Sequence, residues 1–377
     1  MKFVTLRDEL QQAIGVVQRA VSTRSTLPIL SNILLEADED GLTLSATDLE
    51  IGIRARLAVD TVTPGRTTLP ARLLNELVGA QPSGPPLEIE SNDQDRVFFR
   101  CGRSEMDIHG LPADEFPVIP SLESETRLRV PQGLLKAMIG GVIIAVSHDE
   151  TRARLTGMFM TVEDGRLRLV ATDTHRLATQ SERLPEPPLA VVSAIIPARA
   201  LREVERLLSE HREQAIEIVL TENQVQFTFE DATVVSRLIE GEFPNYRKVI
   251  PASSDWRLSC PLLNLRESVR RCAIVSRDDH HKLVLRAALG GEVQLTAESA
   301  RVGKADEVVD GVNVEGPAGA GEPIEIAFNA EYLLAVLNYL QTEEVILQLS
   351  AANLPGAVRP TSDEEDYVYV LMPMQMV

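Results

Sequence analysis

Two stretches of this sequence decide its fold: "LTLSATDLEIGIRARL" at residues 42–57 and "LRLVATDTHRLATQSERL" at residues 167–184. Each contains a strand-like run that ends in Ala-Thr-Asp, and Asp48 lies 125 positions before Asp173. Similarity between stretches at a fixed separation indicates a chain built from repeated structural units.

The rest of the sequence keeps nearly the same period. A weaker third copy, "VQLTAESARVGKADEVV", places Glu298 a further 125 positions along the chain. Pro70 and Pro197 belong to two similar segments 127 positions apart, and so do Phe116 and Phe243. An ordered set of matches at one spacing predicts three homologous domains. We expect these domains at residues 1–120, 128–250 and 252–377.

Each copy has the same predicted order of helices and strands. Leu10, Ile14 and Val17 recur at helical spacing, and alternating strands such as "NILLEA" and "GLTLSAT" follow them. A second helix follows Pro-Ala-Arg at 70–72 and 197–199, where proline is tolerated at a helix start. The pattern predicts an α+β fold in which two helices per domain pack on one face of an antiparallel sheet.

The composition indicates a globular protein of the cytoplasm. The chain is 44% hydrophobic, has no apolar run long enough to cross a bilayer and begins with a charged segment unlike a secretory signal. Its three cysteines lack metal-ligand spacing, which argues against a disulfide framework and a zinc site. We expect Cys101, Cys260 and Cys272 to be buried free thiols.

The balance of charge restricts the possible partners. With 56 acidic and 37 basic residues, the net charge is −19, so the average field of the protein repels nucleic acid. Contact with a polyanion therefore requires basic residues gathered on one surface. Arg199, Arg202 and Arg206 share the face of a predicted helix opposite its apolar stripe, and Arg72 begins the equivalent helix of the first copy.

Two interpretations of these arginines remain open. Solvated arginines could pair with nearby glutamates such as Glu203 and Glu205. Alternatively, arginines that recur in equivalent helices could line one concave surface that contacts a phosphate backbone. Few aromatic residues accompany the basic ones, which favours duplex held by its backbone over stacked single strands.

The glycine-rich segment at 310–323 lacks the lysine of a phosphate-binding loop and carries Glu315 and Glu322. We expect it to be a flexible loop between two strands. The cluster of Asp173, His175 and Arg176 offers a possible metal-dependent hydrolase, but two ligands are too few for a stable site. No catalytic residue, metal site or cofactor is therefore predicted, and a protein scaffold that does not touch DNA is the other alternative.

At this point the sequence resembles a known family, the bacterial sliding clamps, which are the beta subunits of DNA polymerase III. The resemblance covers the whole chain, and its motifs occur in order over the three repeats. They are "TLPILSNILLEA" (26–37), "SATDLEIGIRA" (45–55), "TLPARLLNEL" (68–77), "VATDTHRLA" (170–178), "EGEFPNYRKVIP" (240–251) and "YVYVLMPMQMV" (367–377).

The resemblance implies a non-catalytic processivity factor. Two chains would close head to tail into a ring around duplex DNA, without sequence preference, and would hold the polymerase III catalytic subunit on its template at the nucleoid. It implies DNA contacts at Arg24, Arg72, Asp149, Arg152 and Arg154, to which the charge pattern adds Arg199. It also implies a seam between protomers that joins Met106 and Ile108 to Ile274 and Val275.

The resemblance further implies a pocket that receives short linear motifs of polymerases, the clamp loader and repair factors. Thr174 is bulkier than the small residue common there, and Ala153 and Arg154 stand where aromatics are frequent. Gln375 replaces a basic residue that often follows the terminal Met-Pro-Met. The pocket residues would be Leu155, Thr172, Thr174, His175, Arg176, Leu177, Pro244, Lys248, Val249, Pro355, Val370, Leu371, Met372, Pro373 and Met374.

Overall fold

The computed structural model describes residues 1–22, 26–124, 126–188, 191–210, 214–317, 322–361 and 366–376. By its internal contacts the chain divides into two compact units. The first unit contains residues 1–132 and 199–238, and the second contains residues 133–198 and 239–377.

The α-helices begin and end as follows: α1 Arg7–Val17, α2 Ala71–Gly79, α3 Gln132–Ile143, α4 Ala198–Leu207, α5 Leu262–Ser276 and α6 Ala330–Tyr339. Short 3-10 helices cover Gln18–Ala20, Pro28–Ser31, Ala113–Glu115, Glu150–Leu155 and Tyr246–Lys248.

The strands of the first repeat are β1 Lys2–Thr5, β2 Asn32–Asp38, β3 Gly41–Thr47, β4 Ile51–Leu57, β5 Asp60–Thr63, β6 Gly65–Pro70, β7 Leu87–Ser91, β8 Arg96–Cys101 and β9 Ser104–His109. Those of the second are β10 Arg127–Pro131, β11 Gly157–Glu163, β12 Arg166–Thr172, β13 Arg176–Arg183, β14 Val192–Pro197, β15 Ala215–Leu220, β16 Gln224–Thr228 and β17 Ala232–Arg237. Those of the third are β18 Trp256–Pro261, β19 Lys282–Ala287, β20 Val293–Ser299, β21 Gly303–Val309, β22 Asn313–Glu315, β23 Ile324–Asn329, β24 Glu344–Leu349, β25 Gly356–Pro360 and β26 Asp366–Leu371.

The order of these elements confirms the three-domain α+β fold, since a helix follows the first strand of each repeat and a second helix precedes its last three strands. The structure adds that the strands of each repeat divide between two antiparallel sheets. The first unit holds the sheets β5-β1-β7-β8-β9 and β10-β15-β16-β17-β4-β3-β2-β6. The second unit holds β14-β11-β12-β13-β26-β25-β24-β18-β22 and β21-β20-β19-β23.

Successive repeats are joined by one strand pairing. The strand that follows the repeated turn in one repeat pairs with the last strand of the next repeat. In the first unit β4 pairs with β17, so that Ile53 lies opposite Val234. In the second unit β13 pairs with β26, so that Ala178 lies opposite Tyr369. We call these the first seam (β4 with β17) and the second seam (β13 with β26). The domain limits expected from the sequence stay a prediction.

One prediction about the third repeat is wrong. Within the segment expected to be a loop, Asn313–Glu315 forms β22, which pairs with Arg257–Ser259 of β18. Successive side chains of a strand point to opposite faces of the sheet, so Val314 is buried while its neighbours Asn313 and Glu315 are exposed. Residues 318–321 of the same segment lie outside the described part of the chain.

The apolar faces of the helices and strands form the core of each unit. All three cysteines are buried, and burial raises the pKa of Cys260 to about 12 and that of Cys272 to about 11. These two thiols therefore remain protonated and unreactive at neutral pH. Within the described residues, no helix is both long enough and apolar enough to cross a membrane.

Candidate functional sites

The Thr-Asp pair of the second repeat builds the tight turn between β12 and β13. The Oδ1 atom of Asp173 accepts hydrogen bonds from the backbone N–H groups of His175 at 2.9 Å and Arg176 at 3.0 Å. Thr172 Oγ1 donates to the backbone carbonyl of Arg176 at 2.7 Å. This bonding holds Thr174 at a positive φ of 81° and turns its side chain and that of His175 outward.

The first repeat contains the same turn without the histidine and arginine. Asp48 Oδ1 accepts from the N–H groups of Glu50 at 3.0 Å and Ile51 at 2.9 Å. Thr47 Oγ1 donates to the carbonyl of Ile51 at 2.9 Å, and Leu49 has a φ of 78°. The aspartate is therefore the turn-forming residue in both of these copies.

The third repeat uses a different residue for this purpose. Ser299 Oγ accepts from the N–H groups of Arg301 and Val302, both at 3.3 Å. Glu298, which sequence comparison placed opposite Asp173, lies inside β20 opposite Lys304. The expected equivalence of Glu298 with the turn-forming aspartates is wrong, because Ser299, one position further along, accepts the bonds from the residues two and three positions ahead of it.

Arg176 is fixed from two sides. Its Nε donates to Asp173 Oδ2 at 2.9 Å, and its guanidinium carbon lies 4.2 Å from the ring centroid of Tyr332. Burial raises the pKa of the neighbouring Tyr369 phenol, whose O–H donates to the carbonyl of Tyr332 at 3.1 Å. Both carboxylate oxygens of Asp173 are thus engaged in holding the turn and Arg176.

We expect the Asp173→Ala variant to unfold at a lower temperature than the wild type. It leaves two backbone N–H groups and a half-buried guanidinium without their acceptor, a loss of about 2 kcal/mol. The first thermal unfolding midpoint should fall by about 4 °C in calorimetry. The exposed Asp255, changed to alanine in the same unit, should leave the midpoint unchanged. Equal midpoints for all three proteins would contradict this role of the turn.

An apolar surface lies beside the turn, where β13 and β26 are paired. Leu177 and Val370 are buried opposite each other, and Tyr246 packs on them in one cluster. Phe159 and Phe243 stack with centroids 5.1 Å apart and pack against the same cluster. These contacts hold the 243–250 segment on the strands and place Pro244, Lys248 and Val249, all exposed, at its border.

The C-terminal residues extend this surface. The Met372 N–H donates to the carbonyl of His175 at 2.9 Å, and the Met374 N–H donates to that of Ala327 at 2.7 Å. Pro355 precedes Gly356, which pairs with Leu371. The structure therefore brings the His175 turn, the end of β26 and the start of β25 to one place.

The other predicted pocket residues have clear positions. Leu155 is buried at the end of the 3-10 helix Glu150–Leu155, which is tied to the turn by a 3.2 Å bond from Arg152 to Thr174 Oγ1. Sequence reasoning did not include Tyr332 and Leu354 in this region. Leu354 is an exposed apolar residue next to Pro355, and its place in "NLPG" was the available signal. Tyr332 gave no such signal, because it lies in another repeat than Arg176.

The predicted DNA contacts in the first unit lie on helices. Arg72 on α2 has a side chain 92% exposed and pairs with Glu76 at 2.9 Å. Arg199 on α4 pairs with Asp48, the turn-forming residue of the first repeat. Arg24 lies outside the described residues.

The predicted DNA contacts in the second unit surround one 3-10 helix. Asp149 caps that helix by accepting from Thr151 N–H at 3.0 Å, and it also holds Arg152 at 2.8 Å. Hydrogen bonds from Thr151 and Arg152 lower the pKa of Asp149. Arg154 donates to the carbonyl of Glu242 at 3.2 Å. These arginines therefore pair with acidic side chains or with a backbone carbonyl of the same chain, as the interpretation of local pairing expects. Several of the paired guanidinium groups remain exposed.

The predicted contact between protomers involves an edge strand, β9, and the helix α5. Met106 and Ile108 lie on β9, the end strand of its sheet, where Met106 is exposed and Ile108 is buried. Ile274 and Val275 lie on α5, which packs on β20 and β21. Ile274 is 57% exposed, although it is apolar.

The chain is similar to known proteins along its whole length. Models of the DNA polymerase III beta subunit match its N-terminal domain at residues 1–120, its central domain at 129–245 and its C-terminal domain at 247–375. The beta sliding clamp of Bacillus subtilis is 31% identical over 384 residues and that of Caulobacter vibrioides is 34% identical over 381, each covering 100% of both chains.

Solved structures give the same result. The DNA polymerase sliding clamp of Bacillus subtilis superposes with a TM-score of 0.93 at 30% identity, covering 100% of both chains. A sliding clamp from Pseudomonas aeruginosa, bound to griselimycin, superposes with a TM-score of 0.92 at 32% identity and the same coverage.

Proposed function

Because this chain belongs to the DNA polymerase III beta subunit family of sliding clamps, we propose that two copies close head to tail into a ring that encircles duplex DNA. The ring is non-catalytic, and it tethers the replicative polymerase to its template at the nucleoid, in the cytoplasm. It slides because its contacts with the phosphates are few and independent of sequence.

The observation that carries the proposal is the way in which repeats join. Each seam pairs a strand that follows the repeated turn with the last strand of the next repeat, as β4 does with β17 and β13 with β26. By the same rule β21 of the third repeat requires the last strand of another repeat. Strand β9 is the last strand of the first repeat, and each of the two ends its sheet among the described residues.

Pairing β21 of one protomer with β9 of its partner therefore continues the pattern. It covers two sheet edges whose backbone groups would otherwise be exposed to solvent. The contact is heterologous, so it forms a closed ring when the rotation closes after two copies. Met106 and Ile108 on one side and Ile274 and Val275 on the other supply apolar area at this contact.

Charge supports a ring that admits DNA only in its interior. A net charge of −19 repels the duplex from the average surface. Of the proposed contacts, Arg72 and Arg199 would exchange their present acidic partners, and Arg154 its carbonyl partner, for phosphates, whereas Arg24 lies outside the described residues. Asp149 serves this set by holding Arg152 in position.

The surface around His175 is proposed to dock linear motifs of the polymerase III catalytic subunit, the clamp loader, other polymerases and repair factors. Exposed Met372 and Val249 border it, and buried Leu177 and Val370 lie beneath. Methionine suits such a site because its flexible thioether adapts to different partners. Since each protomer of a dimer carries one such surface, a ring can hold two partners.

Retention on DNA tests the proposed function. Protein loaded by a clamp loader onto nicked circular duplex should co-elute with the circle in gel filtration at a salt concentration that removes nonspecifically bound protein. Cutting the circle with a restriction enzyme should release it. Protein that remains on linear DNA with free ends would contradict a topological tether, and so would protein that never remains on the circle.

A further inference from the structure

The two seams are built alike but are filled differently. In the second seam the rings of Tyr339 of α6 and Tyr367 of β26 pack against each other at a tilt of 41°, with centroids 5.3 Å apart. Tyr339 donates its O–H to the carbonyl of Ala137 at 3.0 Å, and Tyr367 donates to that of Gly141 at 2.9 Å. The two phenol rings therefore fill the space between the strands of this seam and α3.

The first seam has smaller side chains at the corresponding positions. Helices α4 and α6 have ten residues each and end at Leu207 and Tyr339, so Leu207 replaces one tyrosine. Tyr367 lies opposite Gln180 in the second seam, two positions beyond the Ala178–Tyr369 pair. Two positions beyond the equivalent Ile53–Val234 pair, Ala232 lies opposite Ala55. Ala232 therefore replaces the other tyrosine.

The missing rings leave a cavity in the first unit. Its volume is about 470 Å³, and its apolar lining includes Ala55, Leu207, Phe229 and Ala232. The cavity is open to solvent on one side, and because the sister seam fills the equivalent space with two phenol rings, it indicates room for a ligand of similar size.

A second, smaller chamber adjoins the first. It has a volume of about 230 Å³ and shares the lining residues Gln12, Val16 and Leu207 with the main cavity. Gly15 lines it and faces open space, because a Cβ atom added there would meet nothing within 4 Å.

The smaller chamber contains a carboxylate oxygen without a hydrogen-bond donor. Glu203 is only 9% exposed, and its Oε1 accepts from Arg206 at 2.6 Å. Its Oε2 is buried and has no hydrogen bond among the described residues, although it forms a long ion pair with Arg19 Nε at 3.7 Å. A buried polar atom without a partner costs free energy, and a ligand that donates to it recovers that cost.

The charge at the mouth of the main cavity is negative. Glu9 and Asp231 line it and form no ion pair within the described parts of the chain. Arg56 also lines it, but its guanidinium is paired with Asp40 at 3.2 Å. Arg19 and Arg206 line the smaller chamber, but the four acids of the two linings, Glu9, Glu203, Glu230 and Asp231, outnumber the three arginines, so a cationic ligand is favoured over an anionic one.

We propose that the first seam binds a small aromatic molecule that carries a protonated amine. The ring occupies the volume that Tyr339 and Tyr367 fill in the second seam, and the amine donates to Glu203 Oε2 through the smaller chamber. The site lies within one unit of a single chain, so it depends neither on ring closure nor on DNA.

The first test is the binding of matched small probes to the full-length protein. Tyramine, a phenol with an ammonium group, should bind with a Kd of about 1 mM or tighter in calorimetry. The anionic 4-hydroxyphenylacetate should bind at least about tenfold more weakly, because it meets Glu203 with the wrong charge. Absence of tyramine binding at about ten times that concentration would overturn the proposal.

The second test fills the cavity from within. The double variant Leu207→Tyr/Ala232→Tyr copies the second seam, and it should lose at least about ten times in tyramine affinity while its thermal midpoint rises. Unchanged affinity in this folded variant would contradict the site. Should it not fold, methyl spectra of the wild type decide: tyramine should shift the Ala55 and Ala232 signals and leave Ala137 unshifted. Shifts confined to other alanines would overturn the assignment.

Discussion

Deletion of residues 372–377 is expected to abolish the binding of a polymerase-derived peptide. The tail is held by backbone hydrogen bonds from Met372 to His175 and from Met374 to Ala327, and it forms one border of the apolar surface at the β13–β26 pairing. Without it, the peptide loses the contact area of two methionines and a proline, each of which buries apolar surface worth about 1.5–3 kcal/mol at full burial. A loss of at least about a hundredfold in affinity follows.

Fluorescence anisotropy with a labelled peptide provides the measurement. A shorter deletion, of residues 376–377 alone, is the matched control because it leaves both backbone hydrogen bonds in place, and its affinity should stay within about twofold of the wild type. The dimer mass should be the same for all three proteins, since the tail is not part of the proposed protomer contact. An unchanged affinity after the longer deletion would reject this surface as the docking site.

The substitution Ile274→Asp is expected to convert the dimer into monomers. Ile274 is an apolar side chain 57% exposed on α5, at the contact that we propose between protomers. A carboxylate buried there without a partner costs several kcal/mol, and a two-protomer ring contains the contact twice. The dimer Kd should therefore weaken by at least about a thousandfold.

Light scattering over a range of protein concentrations measures this effect. Leu263→Asp is a matched control, because Leu263 lies on the same helix, is 58% exposed and is outside the proposed contact. The control should retain the dimer mass, whereas the Ile274 variant should approach the 41.4 kDa of one chain. Equal masses for the two variants would show that the contact lies elsewhere. The Ile274 variant should also fail to remain on circular DNA.

Local features of the fold could be predicted from the sequence. The predicted starts of α2 and α4 after Pro70 and Pro197 are confirmed. Such starts can be predicted because the preference of proline for a helix start depends only on the neighbouring residues. The turn at Asp173 could also be predicted, since its bonds join residues two and three positions apart. The internal repeats predicted the three-domain organisation. They also distinguished residues that recur between repeats from residues found in one repeat alone.

Non-local features could not be predicted in this way. The division of each repeat between two sheets depends on pairing such as that of β4 with β17, about 180 positions apart along the chain. The contact of Arg176 with Tyr332 joins different repeats. The cavity in the first seam depends on comparing Ala232 and Leu207 with residues of another seam, which becomes possible only when the strand register is known.

The most direct test of the encircling ring is a covalent lock across the proposed contact. One cysteine replaces Glu105 on β9, and a second replaces Lys304 or Asp306 on β21, each pair being joined by a bifunctional reagent. The three native cysteines are buried, so they should not compete for the reagent. Protein locked after loading should stay on circular DNA through denaturation in detergent and leave only when the circle is cut. Locked protein that detergent removes from an intact circle would contradict the account.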